Sequence, residues 1–582
     1  LYALSARRPD HPAINEWAQR LNALLPGIRD TYLKMNLLSY LSTHYLWKGD
    51  ISRLRYQIRM MNNEVKLMEH SASPTYPLAL IFSKHLESTC LYLVAEPEAS
   101  LERLKEAIKI GETNGIHVWD FLLLGQSLSA AFCSSDFVLA EALLERMRSF
   151  LGVASNFCVS YYHHQNAWYD FLRGNDREAL MHAELSLEYA IASGNVFAGI
   201  CSNISMANAS FMAGRHQKAL QLLDRALKVS RTMNSNVGEV MALMTGAHFA
   251  LETGHEGKCI ETLRRAFSIA REQSIMHFLF WIPSRMSVLC AKALENGIET
   301  EYVKTIIKKR GMVPDDPRVY IGSWPYPVKI YTLGRFGFLR DGRPVNVTGK
   351  VQKKPMEMLK ALIAFGGKDV REEQLIDLLW PEADGDAAHN VFKMTLSRLR
   401  QLCGGDNIMK MQDGRLTLGP EHCYVDAWAF ERTCNQVDAL LKVPSPPSGR
   451  GKAVPDPDEI IRLTETAAAL YRGHFLANEN DRTWTLSIRE RLRNKFIRLI
   501  SISAQQCEQA GKFDRAAQYY RRGLDMDNLC EELYQCLMKC YEKLGRRAEA
   551  ISLYNNCRET FSSVLGISPS PRTVALYERI KK

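Results

Sequence analysis

The chain holds 14 cysteines but no Cys-x-x-Cys pair. Their irregular spacing fits reduced thiols in a cytoplasmic protein rather than a disulfide framework. Cys536 and Cys540 share a helical face with Cys530 nearby, yet no histidine stands at ligand spacing. No metal site is therefore expected, and these cysteines read as small apolar side chains. No signal peptide opens the chain, and no apolar run approaches the roughly 18 residues of a membrane span. The expectation is a cytoplasmic location without a membrane partner. A phosphate-cradling Gly-x-x-x-x-Gly-Lys-Ser/Thr loop is missing too, because Gly254-His-Glu-Gly-Lys258 lacks the spacing and runs into Cys259. With no Gly-x-Ser-x-Gly, His-Glu-x-x-His or paired-carboxylate pattern either, no catalytic residue, no cofactor and no enzymatic activity are expected. Strong charge is also lacking. A net charge of +10 over 582 residues permits a polyanionic partner without demanding one.

Such a length suggests about three to five structural units. Residues 1–310 show almost no strand signal and repeat a helix, a short turn and a second helix. Gly174, Gly214 and Gly254 fall 40 residues apart, each after an aromatic-rich helix (161–172, 198–212 and 240–251). Gly297 continues the series, and Gly49 and Ser134 mark candidate earlier members. Helical hairpins at this period describe a solenoid, in which each hairpin buries its apolar face against its neighbours and the array offers a binding surface. Tyr161, Tyr162, Trp168, Tyr169 and Phe171 are assigned to its core, and His163 and His164 to surface or packing. The partner or effector of this surface is not specified. Between Arg310 and Pro327 the helical period stops and prolines accumulate, so residues 311–327 are a linker.

Residues 328–426 change character. The β-branched and aromatic runs 328–334, 336–339 and 344–347 are separated by turn residues and predict short antiparallel strands. Helical periodicity then covers 353–365, 372–380 and 387–402. Two further strands, 408–412 and 415–418, flank Asp413-Gly414, a turn dipeptide that accepts positive φ. Strands, three helices and a terminal hairpin describe a winged helix. In its third helix Phe392, Leu396, Leu399 and Leu402 form a core stripe, with Asp384-Gly385-Asp386 offering N-cap carboxylates. The opposite face carries Asn390, Lys393, Met394, Ser397, Arg398 and Gln401. Amide side chains pair with adenine, and Arg or Lys with guanine or phosphate, so this face suits the major groove of double-stranded DNA. Lys410 and Arg415 on the hairpin are candidate backbone contacts. Eight basic residues between Lys329 and Lys360, Lys353 and Lys354 among them, stand against only Asp341 and Glu357, and are expected along phosphates. The acidic stretch 372–386 is expected to face away.

Several motifs resemble a family. Trp324-Pro-Tyr-Pro-Val-Lys-Ile-Tyr-Thr-Leu-Gly-Arg-Phe336, Lys353-Lys-Pro-Met-Glu-Met-Leu-Lys-Ala-Leu362, Glu373-Gln-Leu-Ile-Asp-Leu-Leu-Trp-Pro381 and Thr395-Leu-Ser-Arg-Leu-Arg400 look like the OmpR-type winged helix of bacterial antibiotic-regulatory-protein activators. Tyr471-Arg-Gly-His-Phe-Leu476, Trp484, Arg489-Glu-Arg-Leu-Arg493 and Leu565-Gly-Ile-Ser-Pro-Ser570 are similar to the all-helical bacterial transcriptional activator domain that follows it, placed here at 427–582. This resemblance covers roughly the last 255 residues. It implies sequence-specific DNA binding, activation of transcription with RNA polymerase as a partner, and binding to DNA as more than one copy, a homo-oligomer. The N-terminal repeats resemble the tetratricopeptide-like sensor region of MalT-type regulators, although their period exceeds the usual 34. Because such regulators carry a nucleotide-binding module and the chain starts at Leu1 already helical, an NTPase, if there is one, is expected before Leu1.

The expected fold is mostly α: a solenoid, a winged helix with a wing, and a helical-repeat module with helices at 427–441, 458–471, 485–510, 513–524, 531–544, 548–564 and 571–580. Residues 443–458 are expected to form a Pro-rich loop. The alternative reading is a non-enzymatic helical-repeat scaffold whose winged helix meets protein only. Salt-dependent DNA binding separates the two.

Overall fold

The structure, a computed structural model, describes Leu4, Arg8, His11 and residues 13–314, 323–345, 350–383, 385–441, 457–479 and 482–582. Asp384, strand residues 346–347 and most of the 443–458 loop lie outside the described residues. The chain divides into two compact units, Leu1–Asp315 and Asp316–Lys582.

After α1 (Ala13–Leu24), the first unit is a run of helical hairpins. These are α2 (Thr31–Lys48) with α3 (Ile51–His70), α4 (Tyr76–Leu93) with α5 (Pro97–Asn114), and α6 (Asp120–Ser134) with α7 (Phe137–Arg148). They continue as α8 (Asn156–Arg173) with α9 (Asp176–Ser193), α10 (Val196–Met212) with α11 (His216–Thr232), α12 (Asn236–Glu252) with α13 (Glu256–Gln273), and α14 (Pro283–Glu295) with α15 (Thr300–Lys309). Each hairpin turns on a residue with positive φ: Gly49, Ala95, Ser135, Gly174, Gly214, Gly254 and, in the last, Gly297 with Glu299. The turn expected at Ser134 is made by Ser135, because Ser134 still completes α6. A count of glycines could not find Ala95. Alternate helices carry small residues where they cross, as at Ala167, Ala207 and Ala247, all fully or nearly fully buried. Small side chains there let helix axes approach closely.

This solenoid winds back on itself. Ser235 donates its hydroxyl to the Trp47 carbonyl at 2.5 Å, and Trp47 stacks on Phe197 with centroids 6.1 Å apart. The segment between α13 and α14 runs along the inner side. The amides of Met276 and His277 donate to the Leu93 carbonyl at 2.8 and 3.0 Å, and Trp168 Nε1 donates to the Trp281 carbonyl at 3.0 Å. Trp168 and Tyr162 are buried as expected. Phe171 packs edge-on against Phe280, and His164 is buried, the packing option of its assignment.

The second unit opens with β1 (Val328–Tyr331), β2 (Gly337–Arg340) and β3 (Arg343–Pro344). Helix α16 (Lys350–Ala364) follows, then β4 (Val370–Arg371), α17 (Glu372–Leu379) and α18 (Gly385–Cys403). The hairpin β5 (Met409–Gln412) and β6 (Arg415–Leu418) leads to β7 (Cys423–Val425). One sheet has the order β3-β2-β1-β7 and the other β4-β6-β5. Helix α16 begins earlier than the periodicity suggests, which places Pro355 inside it. Its missing N–H costs one intrahelical bond in the second turn. Helices α19 (Asp426–Leu441), α20 (Pro457–Leu470), α21 (Leu486–Gln509), α22 (Phe513–Met526), α23 (Glu531–Lys543), α24 (Arg547–Leu565) and α25 (Pro571–Lys581) complete the unit.

One buried apolar cluster runs from Val328 to Ile580. Winged helix and helical module therefore share a core. Backbone bonds add to the seam: Leu476 N donates to Thr332 O at 2.7 Å and Gly334 N to His474 O at 3.0 Å. The buried Asp426 carboxylate, at the first residue of α19, accepts from Thr332 N and Oγ1 at 2.7 Å and from Leu333 N at 3.0 Å. Burial still pushes its carboxyl above the usual carboxylate range, against those hydrogen bonds.

Candidate nucleic-acid interface

Helix α18 exists because its apolar residues recur every three to four positions. Phe392, Leu396 and Leu399 are buried, together with Ala388, Thr395 and Cys403, while Leu402 is half-buried. The other face is bare. Asn390, Lys393, Met394, Ser397, Arg398 and Gln401 are all exposed, Met394 at 54%. An exposed methionine amid polar groups is an apolar contact atom on an otherwise hydrogen-bonding surface.

The helix is held firmly from beneath. Arg340 donates to the carbonyls of Gln401 and Leu402, both at 3.3 Å, and so caps the C-terminus of α18 with a positive charge. Arg400 reaches the Met409 carbonyl at 3.0 Å and ties α18 to the wing. Glu372, buried at the start of α17, meets the imidazole Nδ1 of His389 on α18. Within the acidic 372–386 stretch, the Glu372 carboxylate thus turns toward protein and joins the two helices. These contacts link residues 9 to 62 positions apart, so helical spacing gave no sign of them.

The wing is a two-residue hairpin, with Gln412 opposite Arg415 and Met409 opposite Leu418. Asp413 and Gly414 have φ of 49° and 68°, the paired positive values of the turn that matches strand twist. Strand β4 adds a third member, with Val370 opposite Leu416. A two-residue strand carries too little pattern to be read from sequence. Lys410 is 69% exposed and lies 3.4 Å from Glu421. Arg415 is exposed and donates to the Asp369 carbonyl at 3.2 Å.

The basic stretch divides. Lys353 is exposed. Lys354 is exposed as well but donates to the Leu379 carbonyl at 2.9 Å and lies 3.2 Å from Glu357. Lys360 is not available to phosphate in the way expected: it is mostly buried, pairs with Glu479 and lies 4.4 Å from the Phe336 ring centroid. Its charge is spent on the seam with the helical module.

Among the described residues, no three His, Cys, Asp or Glu side chains converge as a metal site. No described helix is long and apolar enough to cross a membrane.

Comparison with known proteins bears on the helical module first. Residues 425–581 match the bacterial transcriptional activator domain. The chain is 23% identical over 229 residues to the regulatory protein AfsR of Streptomyces griseus, a match covering 38% of this chain. It takes in 22% of that relative, so the chain spans about a fifth of the curated protein it matches. Among solved structures, Mycobacterium tuberculosis EmbR in complex with a low-affinity phosphopeptide aligns with 44% of this chain and 65% of its own, at 22% identity and TM-score 0.35. A Rap protein complexed with competence and sporulation factor aligns with 79% of this chain and 99% of its own, at 12% identity and TM-score 0.36. The helices that share a core with the winged helix are thus the part of the chain that matches a bacterial transcriptional activator domain.

Proposed function

We propose that the chain is a DNA-binding transcription activator that reads the major groove with α18, contacts the backbone with the β5–β6 wing and is controlled by its helical-repeat sensor unit. The observation that carries this reading is the exposed face of α18, where Asn390, Lys393, Ser397, Arg398 and Gln401 project from a helix whose opposite face is core. Amide and guanidinium groups on one rigid face match base edges bidentately, and flanking cations neutralise phosphate. The matched activator domain supports RNA polymerase as the second partner and more than one copy on DNA. The solenoid supplies the surface for an effector or protein.

Selection of bound sites from random duplex DNA by the whole chain tests the reading. A recurrent site is expected, bound with an affinity that falls steeply with salt. Weak, salt-independent retention without a recurrent site would instead favour a scaffold that meets protein only.

A further inference from the structure

The inner side of the solenoid holds a half-open cavity of about 480 Å³, within the roughly 300–1,000 Å³ of sites for small organic ligands. Its walls come from α2, α4, α6, α8, α10 and α12, and Leu279 of the inner segment closes one side. Trp47, Tyr92, Trp119, Phe157, Tyr161 and Phe197 line it. Among the described residues no Lys, Arg, Asp or Glu does.

Three lining side chains are left over from the packing, one of them His85, whose Nδ1 atom has no hydrogen-bond partner in the protein. Gln126 and His164 are 6% and 2% exposed, and the Nε2 atom of each has no hydrogen-bond partner in the protein. Buried polar groups are nearly always paired, so a buried amide N–H in a cavity wall calls for an acceptor from a bound molecule. The neighbouring hydroxyls do not supply one. Ser160 donates to the Ser186 carbonyl at 2.8 Å, Ser186 and Ser202 meet at 2.7 Å, and Ser205 meets His164 Nδ1 at 2.9 Å. Burial holds the His164 and His85 imidazoles down at about 4, so both are neutral at physiological pH.

We propose that this cavity binds an uncharged, largely aromatic small molecule whose hydrogen-bond acceptor meets Gln126. Aromatic walls supply apolar contact and stacking, and a charged ligand would be desolvated there without a counter-ion. The walls belong to six of the seven hairpins, so occupancy bears on the curvature of the whole solenoid. A ligand that favours one curvature shifts the population of that state. The regulatory meaning of the site rests on the sensor role proposed above; binding itself does not.

The test titrates the whole chain, without DNA, with prodan, an uncharged naphthalene bearing a ketone. Saturable binding of one dye per chain is expected, with blue-shifted emission and quenching of tryptophan fluorescence. Ala198→Trp, which fills the cavity from α10, should weaken binding at least about tenfold. Gln126→Leu keeps the shape and removes the donor. It should weaken binding by about tenfold, the worth of one buried hydrogen bond, without lowering the melting temperature, and it decides the matter if Ala198→Trp does not fold. Absence of saturable binding, unchanged affinity in the folded variants, or equally tight competition by an anionic anilinonaphthalene sulfonate overturns the proposal. DNA affinity of the same samples is read separately. Dye binding without DNA binding supports the cavity and removes only its regulatory reading.

Discussion

Single residues divide into those that shape the candidate interface and those that face outward from it. Arg398 is exposed on α18, so its replacement by Ala should leave folding intact and cost about 1–3 kcal/mol on a selected site if it reads a base. Anisotropy titrations against selected and random duplexes check this; equal affinities in both, before and after substitution, would remove Arg398 from the interface. Gly367 has the opposite character. Its φ is +72°, and a Cβ there would lie 2.1 Å from the Trp428 ring, while its carbonyl accepts from Leu418 N at 2.8 Å. Gly367→Ala combines left-handed strain with overpacking and should cost about 3 kcal/mol or more. Urea denaturation should show the midpoint falling at constant slope; an unmoved midpoint would mean that the Trp428 ring can leave.

Elements carry a different kind of information, and the wing shows it. Lys410 and Arg415 lie on adjacent strands of an exposed hairpin, and phosphate contacts carry no sequence information. Arg415→Ala and Lys410→Ala should therefore weaken all duplexes alike, each flattening the plot of log affinity against log salt by about one unit. A loss confined to one base position would place the residue in a groove instead. The hairpin was legible because turn chemistry and alternation are local, and the core stripe of α18 was legible because 3.6-residue periodicity is local. What stayed hidden was set by partners distant in the chain. Strand β7 is recognised as a strand only by its parallel pairing with β1, Val328 opposite Cys423. Likewise Lys360, one of eight cations in a basic run, reads as a phosphate ligand until Glu479 is folded against it. In the solenoid the glycine period revealed most hairpins but not the one turning on Ala95, since a left-handed residue without glycine leaves no compositional mark.

At the scale of the whole molecule the two units differ in how burial treats histidine. In the first, His44, His85, His163, His164 and His248 are held near 4, and His277 well below its ordinary value, each chiefly by burial. In the second, His474 is lowered, again chiefly by burial. A histidine depressed in the folded state is neutral there but takes a proton when unfolded below about pH 6.5. Its stabilisation is complete above that value and is lost as pH falls toward 4, by about 2 kcal/mol at pH 5 for a fully buried group such as His164. Asp426 acts in the other sense, because a carboxyl raised in the folded state favours folding at lower pH. Calorimetry of the whole chain should therefore give two transitions, of which the solenoid's moves down markedly between pH 7 and pH 5 while the other stays nearly in place. Residues 316–582 expressed alone should be soluble, melt in one step at the pH-insensitive transition and bind the selected DNA site, since one apolar cluster spans them. Truncation after Asp426 should fail to fold, because it removes Phe430, Tyr471, Phe475 and Phe496 from that cluster. A single transition for the whole chain that shifts as one body with pH would show instead that the units unfold together, and would make the solenoid part of the winged-helix unit's fold rather than its attachment.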